Sequence, residues 1–302
     1  MRVALTGASG FIGSYTARTL HEAGHEVTAL VRETSRRDHI APFVTRFVTG
    51  TQDDESVWPE LLDGAECVIH NSVDWTPLRG TPDLARHLQT NLVASIRFLE
   101  AAGERQFIFV STIAVHHDMR PRWNGIIDED HPTRPGSLYG AYKASVEAHQ
   151  WAAHFSRNAD TCAVRPCGVY GMDPNLKRSY FFPYLKRLRD LAEKGEKFSK
   201  PGGGKFVHVQ DVARVLTKLV GNPDSAGHVY NLVDCYARWA DWAAMACEIM
   251  NIKVQIDFSS PAEPQNTFRK DAVQALGIDL NRGHVGIRSY LQELIAYKEN
   301  SS

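Results

Sequence analysis

The first thirteen residues, MRVALTGASGFIG, constrain this chain more than any other stretch. An apolar strand, Val3 to Leu5, runs straight into a turn carrying Gly7, Gly10 and Gly13, with Ser9, Phe11 and Ile12 between them. Glycine lacks a Cβ, so the backbone here can turn sharply and approach a ligand before a helix that begins near Ile12. The unpaired amides and positive dipole end of such a helix attract anionic phosphate. Ile12, Thr16, Leu20 and Ala23 share one helical face, Gly24 stops the helix, and Val27 to Val31 read as a second strand. A complete strand–helix–strand unit of about 30 residues is the setting in which a glycine turn holds a pyrophosphate.

Further apolar strand candidates lie at Phe43 to Val48, Cys67 to His70, Phe107 to Val110 and Cys162 to Arg165, with helical stretches at 84–102 and 140–156. Strands alternating with helices predict an α/β fold built on a doubly wound parallel sheet. From about residue 170, Pro174, Pro183, Pro201 and the Gly202 to Gly204 run break the pattern, and Phe206 to Val209, Val229 to Leu232 and Val254 to Phe258 are spread apart. Residues 1–170 are therefore expected to form a dinucleotide-binding domain. Residues 171–302 are expected to be mainly a smaller, discontinuous substrate lobe, with some segments returning to the sheet; an ordinary continuation of the sheet is the alternative.

Composition narrows the partners. The 302 residues are 43% hydrophobic, enough for a large core, and carry a formal charge of −1 with lysines and arginines scattered. That leaves no electrostatic footprint for nucleic acid or a membrane surface. No apolar run approaches the roughly 20 residues that span a bilayer, and a functional strand stands where a cleavable signal would sit, so a cytoplasmic protein is expected. The five cysteines show no CxxC spacing, and the adjacent His116 and His117 cannot both face one side of a strand, so neither a disulfide framework nor a metal site is expected. A small-molecule partner is favoured.

Tyr139 and Lys143 in SLYGAYKASVE stand four apart and so share a helix face. A neighbouring ammonium stabilises a phenolate and draws a tyrosine pKa near 10 toward neutrality. Tyr142, beside Lys143 in sequence, is expected to face away. The second strand ends in Arg32 with no acid to accept hydrogen bonds from a ribose, and Arg36 and Arg37 follow. Guanidinium suits a 2′-phosphate, so NADP is expected, with NAD the alternative because Glu33 is close.

TGASGFIG, spaced GxxGxxG, resembles the opening of the extended short-chain dehydrogenase/reductase family. This is the NAD-dependent epimerase/dehydratase group, which includes nucleotide-sugar epimerases, dehydratases and dihydroflavonol reductases. FIFVSTIAV, the YxxxK pair, RPCGVYG, KFVHVQDVA and KDAVQALGI resemble its later segments, so the likeness covers nearly the whole chain. It implies a Rossmann-type sheet and a catalytic set of Thr112, Tyr139 and Lys143, with Ser111 as substitute for Thr112. Pro166 and Val169 would turn beneath the nicotinamide, and Asn91 would anchor active-site backbone or lie on a helix surface. The chain departs from the family where Thr51 and Gln52 replace the acid expected at the adenine, and where Asn71 and Ser72 replace two alanines while keeping backbone contacts to the cofactor. His116 and His117 also stand where the family has Tyr and Gly.

The implied reaction is hydride transfer between nicotinamide and a carbonyl or carbinol carbon. An NADPH-dependent ketone or aldehyde reductase, near the dihydroflavonol reductase branch, is the first expectation. A nucleotide-sugar epimerase, dehydratase or reductase with a tightly held cofactor is the alternative, and would need a second diphosphate site to which Arg187, Arg214, Arg238 and Arg282 could contribute. A non-catalytic NADP sensor is a third reading, weakened by the presence of both Tyr139 and Lys143. Trp75, Trp123, Phe181 and Tyr184 are candidates for an aromatic pocket wall or for packing. The resemblance also implies a homodimer.

Overall fold

The computed structural model describes residues 1–117 and 125–300. The chain runs through β1 (Arg2–Thr6), α1 (Phe11–Glu22), β2 (Glu26–Val31), β3 (Arg46–Thr49), α2 (Trp58–Leu62), β4 (Cys67–His70), α3 (Leu84–His87), α4 (Ala94–Ala102) and β5 (Gln106–Val110). It continues through β6 (Ile126–Ile127), α5 (Leu138–Arg157), β7 (Thr161–Pro166), β8 (Gly168–Tyr170), α6 (Phe182–Lys194), β9 (Lys197–Phe198), β10 (Gly203–His208) and α7 (Val209–Leu219). It closes with β11 (Val229–Leu232), β12 (Cys235–Arg238), α8 (Trp239–Ile249), β13 (Gln255–Ile256), β14 (Thr267–Phe268), α9 (Asp271–Ala275) and α10 (Gly283–Asn300).

Seven parallel strands form the central sheet in the order β11-β7-β5-β4-β1-β2-β3. The winding reverses beside β1: β2 and β3 lie to one side, β4, β5, β7 and β11 to the other. The crevice outside the carboxyl ends of β1 and β4 is therefore open to a ligand. Alternate residues serve opposite faces. Val3, Leu5, Ile69 and Val164 pack with Ala17 and Leu20 of α1 and with Val212 and Leu216 of α7. Ala4, Val68, Phe107 and Phe109 pack with Phe98 of α4 and Val146 of α5. Burial on both faces explains why these strands read as unbroken apolar runs.

Local chemistry moved several expected boundaries. Phe43 ends a short helical turn, Ala41–Phe43, because Pro42 near its start has no amide to donate to a strand, and β3 begins only at Arg46. The helix over 84–102 widens into a π-type turn at Leu88–Val93, which carries Asn91. Val209 starts α7 where a strand was expected, since His208 Nδ1 caps that helix by accepting from the Gln210 amide at 3.2 Å. The stretch Val254 to Phe258 yields only β13.

The second layer is a sheet of β12, β10 and β8, wrapped by α6, α8 and α10 around Leu185, Phe198, Phe206, Trp242 and Leu291. Phe206 pairs with Gly168, two residues past the end of β7, so this lobe borders the carboxyl end of the central sheet. β11 returns to the central sheet beside β7. No helix among the described residues is long and apolar enough to cross a membrane.

The β1–α1 junction is the tightest point in the nucleotide half. A Cβ on Gly13 would sit 2.1 Å from the Gly7 carbonyl oxygen and 2.8 Å from Ala8 Cα. Gly13→Ala should therefore cost about 1–3 kcal/mol and lower the melting temperature by several degrees. Calorimetry showing parental stability would mean that α1 can retreat from β1 without loss.

Candidate active site

A cleft of about 960 Å³ runs along the carboxyl ends of the central strands, and the residues expected to act in catalysis or to hold a cofactor, Gly13 aside, lie on its wall. Gly7, Ser9, Gly10, Phe11 and Ile12 form its head, and Gly13 does not reach it. Gly7 has φ +68°, and a Cβ there would meet the Asn71 carbonyl at 3.1 Å. Gly10 donates to the Gly7 carbonyl at 3.0 Å, and α1 starts with no side-chain cap, leaving its first amides for a ligand. A cradle of backbone donors that admits no side chain fits a pyrophosphate. Gly13 lies off the cleft wall and serves the close packing of α1 against β1.

Thr6 ties the two turns of the crevice together. Its Oγ1 accepts from the amides of Asn71 (3.0 Å) and Ser72 (3.1 Å) and bonds His70 Nδ1 at 2.9 Å. With both lone pairs occupied the hydroxyl must donate to Nδ1, so His70 carries its proton on Nε2, where it meets Ser95 Oγ at 2.9 Å. Burial pushes the His70 pKa down to about 3, which keeps that ring neutral. The Asn71 and Ser72 amides are thus committed to Thr6. These two residues meet the cleft through their remaining atoms.

Thr51 and Gln52 also line the cleft. The Gln52 amide, however, points inward and donates to the Thr90 carbonyl (2.7 Å) and Asn91 Oδ1 (2.8 Å). Asn91 grips Asp74 by both backbone groups, accepting from its amide at 2.8 Å and donating to its carbonyl at 2.9 Å. Asn91 is therefore an anchor of cleft backbone, not a helix-surface residue. The clamped segment presents Trp75, whose ring lies 4.8 Å from that of Tyr139 at 31°. Phe181 and Tyr184 pack in the lobe, Phe181 against Trp242, and are not on the cleft wall. Trp123 lies outside the described residues.

Arg32 and Arg36 face the cleft, and neither has an ion-pair partner among the described residues. Glu33 is absent from the wall. Arg37 turns away to donate to Thr49 Oγ1 at 3.1 Å and to cover the Phe47 ring. The four arginines expected at a second diphosphate site are employed elsewhere. Arg214 and Arg282 hold Asp211, Arg238 holds Asp241 at 2.7 Å, and Arg187 lies over Phe198. None of the four reaches the cleft.

At the far end Ser111, Thr112, Tyr139, Lys143, Pro166 and Val169 meet on one wall. Ser111 donates its single hydrogen to Glu147 Oε1 and so has none for a substrate. Thr112 Oγ1 accepts from the Ala114 amide at 3.1 Å and lies near the Tyr139 phenol.

The expected lowering of the Tyr139 pKa is not found. Burial pushes it up to about 12, with Thr112 pulling weakly the other way. Lys143 lies deeper than the phenol, donating to the Val110 carbonyl at 2.6 Å, with its Nζ 5.8 Å from the Tyr139 ring centre. Its own pKa is pulled down to about 7 by burial, opposed by Glu147. Tyr142 is off the cleft wall, but its ring does not turn away from Lys143. The lysine stem folds back beneath α5, bringing Nζ to 4.8 Å from that ring and 4.3 Å from Phe109.

Sequence reasoning missed Thr6, His70, Glu147 and Arg165. Glu147 continues the 139, 143 spacing by one more turn, a signal that was available. The Thr6–His70 bridge spans 64 residues and has no local signature.

A model of the NAD dependent epimerase/dehydratase family matches residues 3–232. The chain belongs to this family. It is accordingly an enzyme, an NAD(P)-dependent oxidoreductase or epimerase of the extended short-chain dehydrogenase type. It is 30% identical to a dTDP-glucose 4,6-dehydratase of Streptomyces griseus over 76% of this chain and 72% of that protein. It is 28% identical to a 4-hydroxy-2-methyl-3-oxo-4-farnesyl-3,4-dihydroquinoline-1-oxide ketoreductase of Stigmatella aurantiaca over 78% of this chain and 68% of that protein. The solved UDP-glucose 4-epimerase of Thermus thermophilus in complex with NAD superposes with a TM-score of 0.76 at 22% identity, over 97% of this chain and 99% of that one, and shares the fold.

The buried Lys143 sets a pH signature for this family member. The unfolded chain holds the lysine proton to about pH 10.5 while the folded one releases it near pH 7. Between those values the unfolded state binds more protons, so the Lys143 contribution to stability should rise with pH by up to about 1.4 kcal/mol per unit. Denaturant titrations between pH ~7 and ~9 should show a steeper rise for the parent than for Lys143→Met. Equal slopes would mean that Lys143 stays charged in the fold.

Proposed function

We propose that this enzyme is an NADPH-dependent ketone or aldehyde reductase. The observation that carries the reading is the convergence of Thr112, Tyr139 and Lys143 on the cleft that begins at the glycine turn. In this reading Gly7, Ser9, Gly10, Phe11 and Ile12 hold the pyrophosphate. Thr51 and Gln52 flank the adenine, Asn71 and Ser72 the ribose and pyrophosphate, and Pro166 and Val169 the nicotinamide. Arg32 and Arg36 receive a 2′-phosphate, supported by their free guanidinium groups and the absence of Glu33 from the wall. When bound, the dinucleotide supplies the hydride. Thr112 holds the substrate oxygen and Tyr139 passes its phenolic proton to that oxygen. Lys143 holds the nicotinamide ribose and, as an ammonium, favours the phenolate left behind. The lobe beyond residue 170 covers the substrate, with Trp75 as an aromatic wall above Tyr139.

Two further observations bear on the choice of reaction. Dehydration needs an additional acid and base to remove water, yet Asp74 and Asp173 on the wall are paired with Arg86 (3.2 Å) and Arg178 (3.1 Å). A diphosphate-bearing substrate would want free cations, and the four arginines named for that role are occupied or distant, while Arg79 stands on the cleft wall with no ion pair among the described residues. The second reading, a nucleotide-sugar epimerase or dehydratase, is favoured by the names of most relatives. Retention of a copurifying dinucleotide through gel filtration would support it, and ready exchange with added NADPH would count against it. A homodimer through α5 is supported by the Trp151–Phe155 stack, with Phe155 76% exposed.

A panel of ketones, aldehydes and nucleotide-sugars assayed with NADPH and NADH tests the reading. Tyr139→Phe should bind dinucleotide normally and lose about 10²–10⁴-fold in turnover. Unchanged turnover removes the catalytic assignment. Arg32→Ala and Arg36→Ala should each weaken NADPH by about tenfold or more and leave NADH untouched; equal effects on both would overturn the NADP preference.

A further inference from the structure

Beneath the catalytic wall lies a buried polar network that the proposed reaction does not use. Glu147 sits one helical turn beyond Lys143 on α5, and its side chain is 2% exposed. Arg165 of β7, equally buried, donates from Nη2 to Glu147 Oε2 at 2.6 Å and from Nε to both carboxylate oxygens at 3.1 Å. Ser111 of β5 donates to Oε1. The remaining Arg165 nitrogen donates to the Glu129 carbonyl at 3.2 Å and to His116 Nε2 at 3.1 Å. His116 must then be neutral with its proton on Nδ1, in keeping with burial and Arg165 pulling its pKa down to about 3.

The surroundings of Lys143 give that carboxylate a second task. The neighbours of its Nζ are the Val110 carbonyl and the rings of Phe109, Tyr139 and Tyr142. His70 on β4 faces it as a neutral ring. Glu147 is the one carboxylate acting on it among the described residues. A buried ammonium with a carbonyl and ring faces around it tends to lose its proton, and an anion held at fixed distance opposes that loss. A flexible glutamate would be a poor holder of this charge. Held by an arginine fork and a serine, Glu147 is fixed in place.

We propose that Glu147 is a positioning residue for the reaction. Pinned by Arg165 and Ser111, it supplies the negative charge that opposes the loss of the Lys143 proton where Lys143 meets the cleft. The inference rests on the role given to Lys143 under the proposed function. It also gives Ser111 and Arg165 a purpose beyond packing: they hold Glu147, and Glu147 sets the protonation of Lys143.

The test reads Lys143 directly, by nuclear magnetic resonance titration of protein carrying isotope-labelled lysine, with the signal assigned by its loss in Lys143→Met. In Glu147→Gln the Lys143 midpoint should fall by about one pH unit or more. Glu147→Asp, which keeps the carboxylate, should recover most of that shift. Dinucleotide affinity should stay within about threefold of the parent, as for a group that does not touch the cofactor. If the unpaired Arg165 prevents Glu147→Gln from folding, Glu147→Gln/Arg165→Met is read against Arg165→Met, so that the loss of the cation is common to both. A purely structural Glu147 would lower the melting temperature and leave the Lys143 midpoint where it was, and that result overturns the inference. The reading of the site fails separately: a Tyr139→Phe protein with parental turnover, or a shifted Lys143 midpoint with no change in the pH dependence of NADPH oxidation by the best carbonyl of the panel, would count against Lys143 as part of the machinery.

Discussion

The close approach of α1 to the end of β1 is the constraint on which the rest of this molecule depends. With no side chain at Gly13 the helix lies directly against the Gly7 carbonyl, and its first amides open into the crevice where the sheet reverses its winding. A helix held further out would lose the depth of the cleft and the aim of those amides together. The same contact fixes where β1 ends. Thr6 can therefore bond both amides of the neighbouring β4 turn, and one hydroxyl joins the two halves of the doubly wound sheet across the ligand site.

Burial governs the chemistry at the other end of the cleft. Tyr139 and Lys143 are both desolvated, and desolvation acts oppositely on an acid and a base: it raises the phenol and lowers the ammonium. Lone burial would leave a phenol unwilling to ionise beside an amine ready to lose its charge. Glu147, one helical turn along α5, opposes that loss of charge. The stack of Trp75 on Tyr139 keeps water away from the phenol at the cost of that raised pKa. Buried polarity near the cleft runs through a few networks, Ser95–His70–Thr6, Gln52–Asn91–Asp74 and Ser111–Glu147–Arg165, each joining segments distant in sequence.

Much of the fold was legible because local and global preferences agree. The glycine turn, the apolar runs of β4, β5 and β7 and the α5 face carrying Tyr139 and Lys143 each follow from spacing and side-chain type. Boundaries slipped where one residue changed the local rule, as Pro42 did ahead of β3 and His208 did at the start of α7. The cleft wall was legible to the same degree, because residues at the carboxyl ends of parallel strands must converge once the strand order is set. What the side chains do there was not. Gln52 and Asn91 read as independent positions, yet their amides bond each other, and Ser111 could not be separated from Thr112 until its proton had a partner 36 residues away.

The sequence by itself therefore determined the architecture, the family and part of the cleft wall, since these rest on periodicity, glycine freedom and short spacings that act within one strand–helix unit. Only the tertiary structure decided the protonation chemistry and the division of labour among those residues. Which hydroxyl is free, which arginines are already paired and how far Lys143 lies from Tyr139 depend on burial and on partners brought from other strands, and a pKa responds to distance in space, not along the chain.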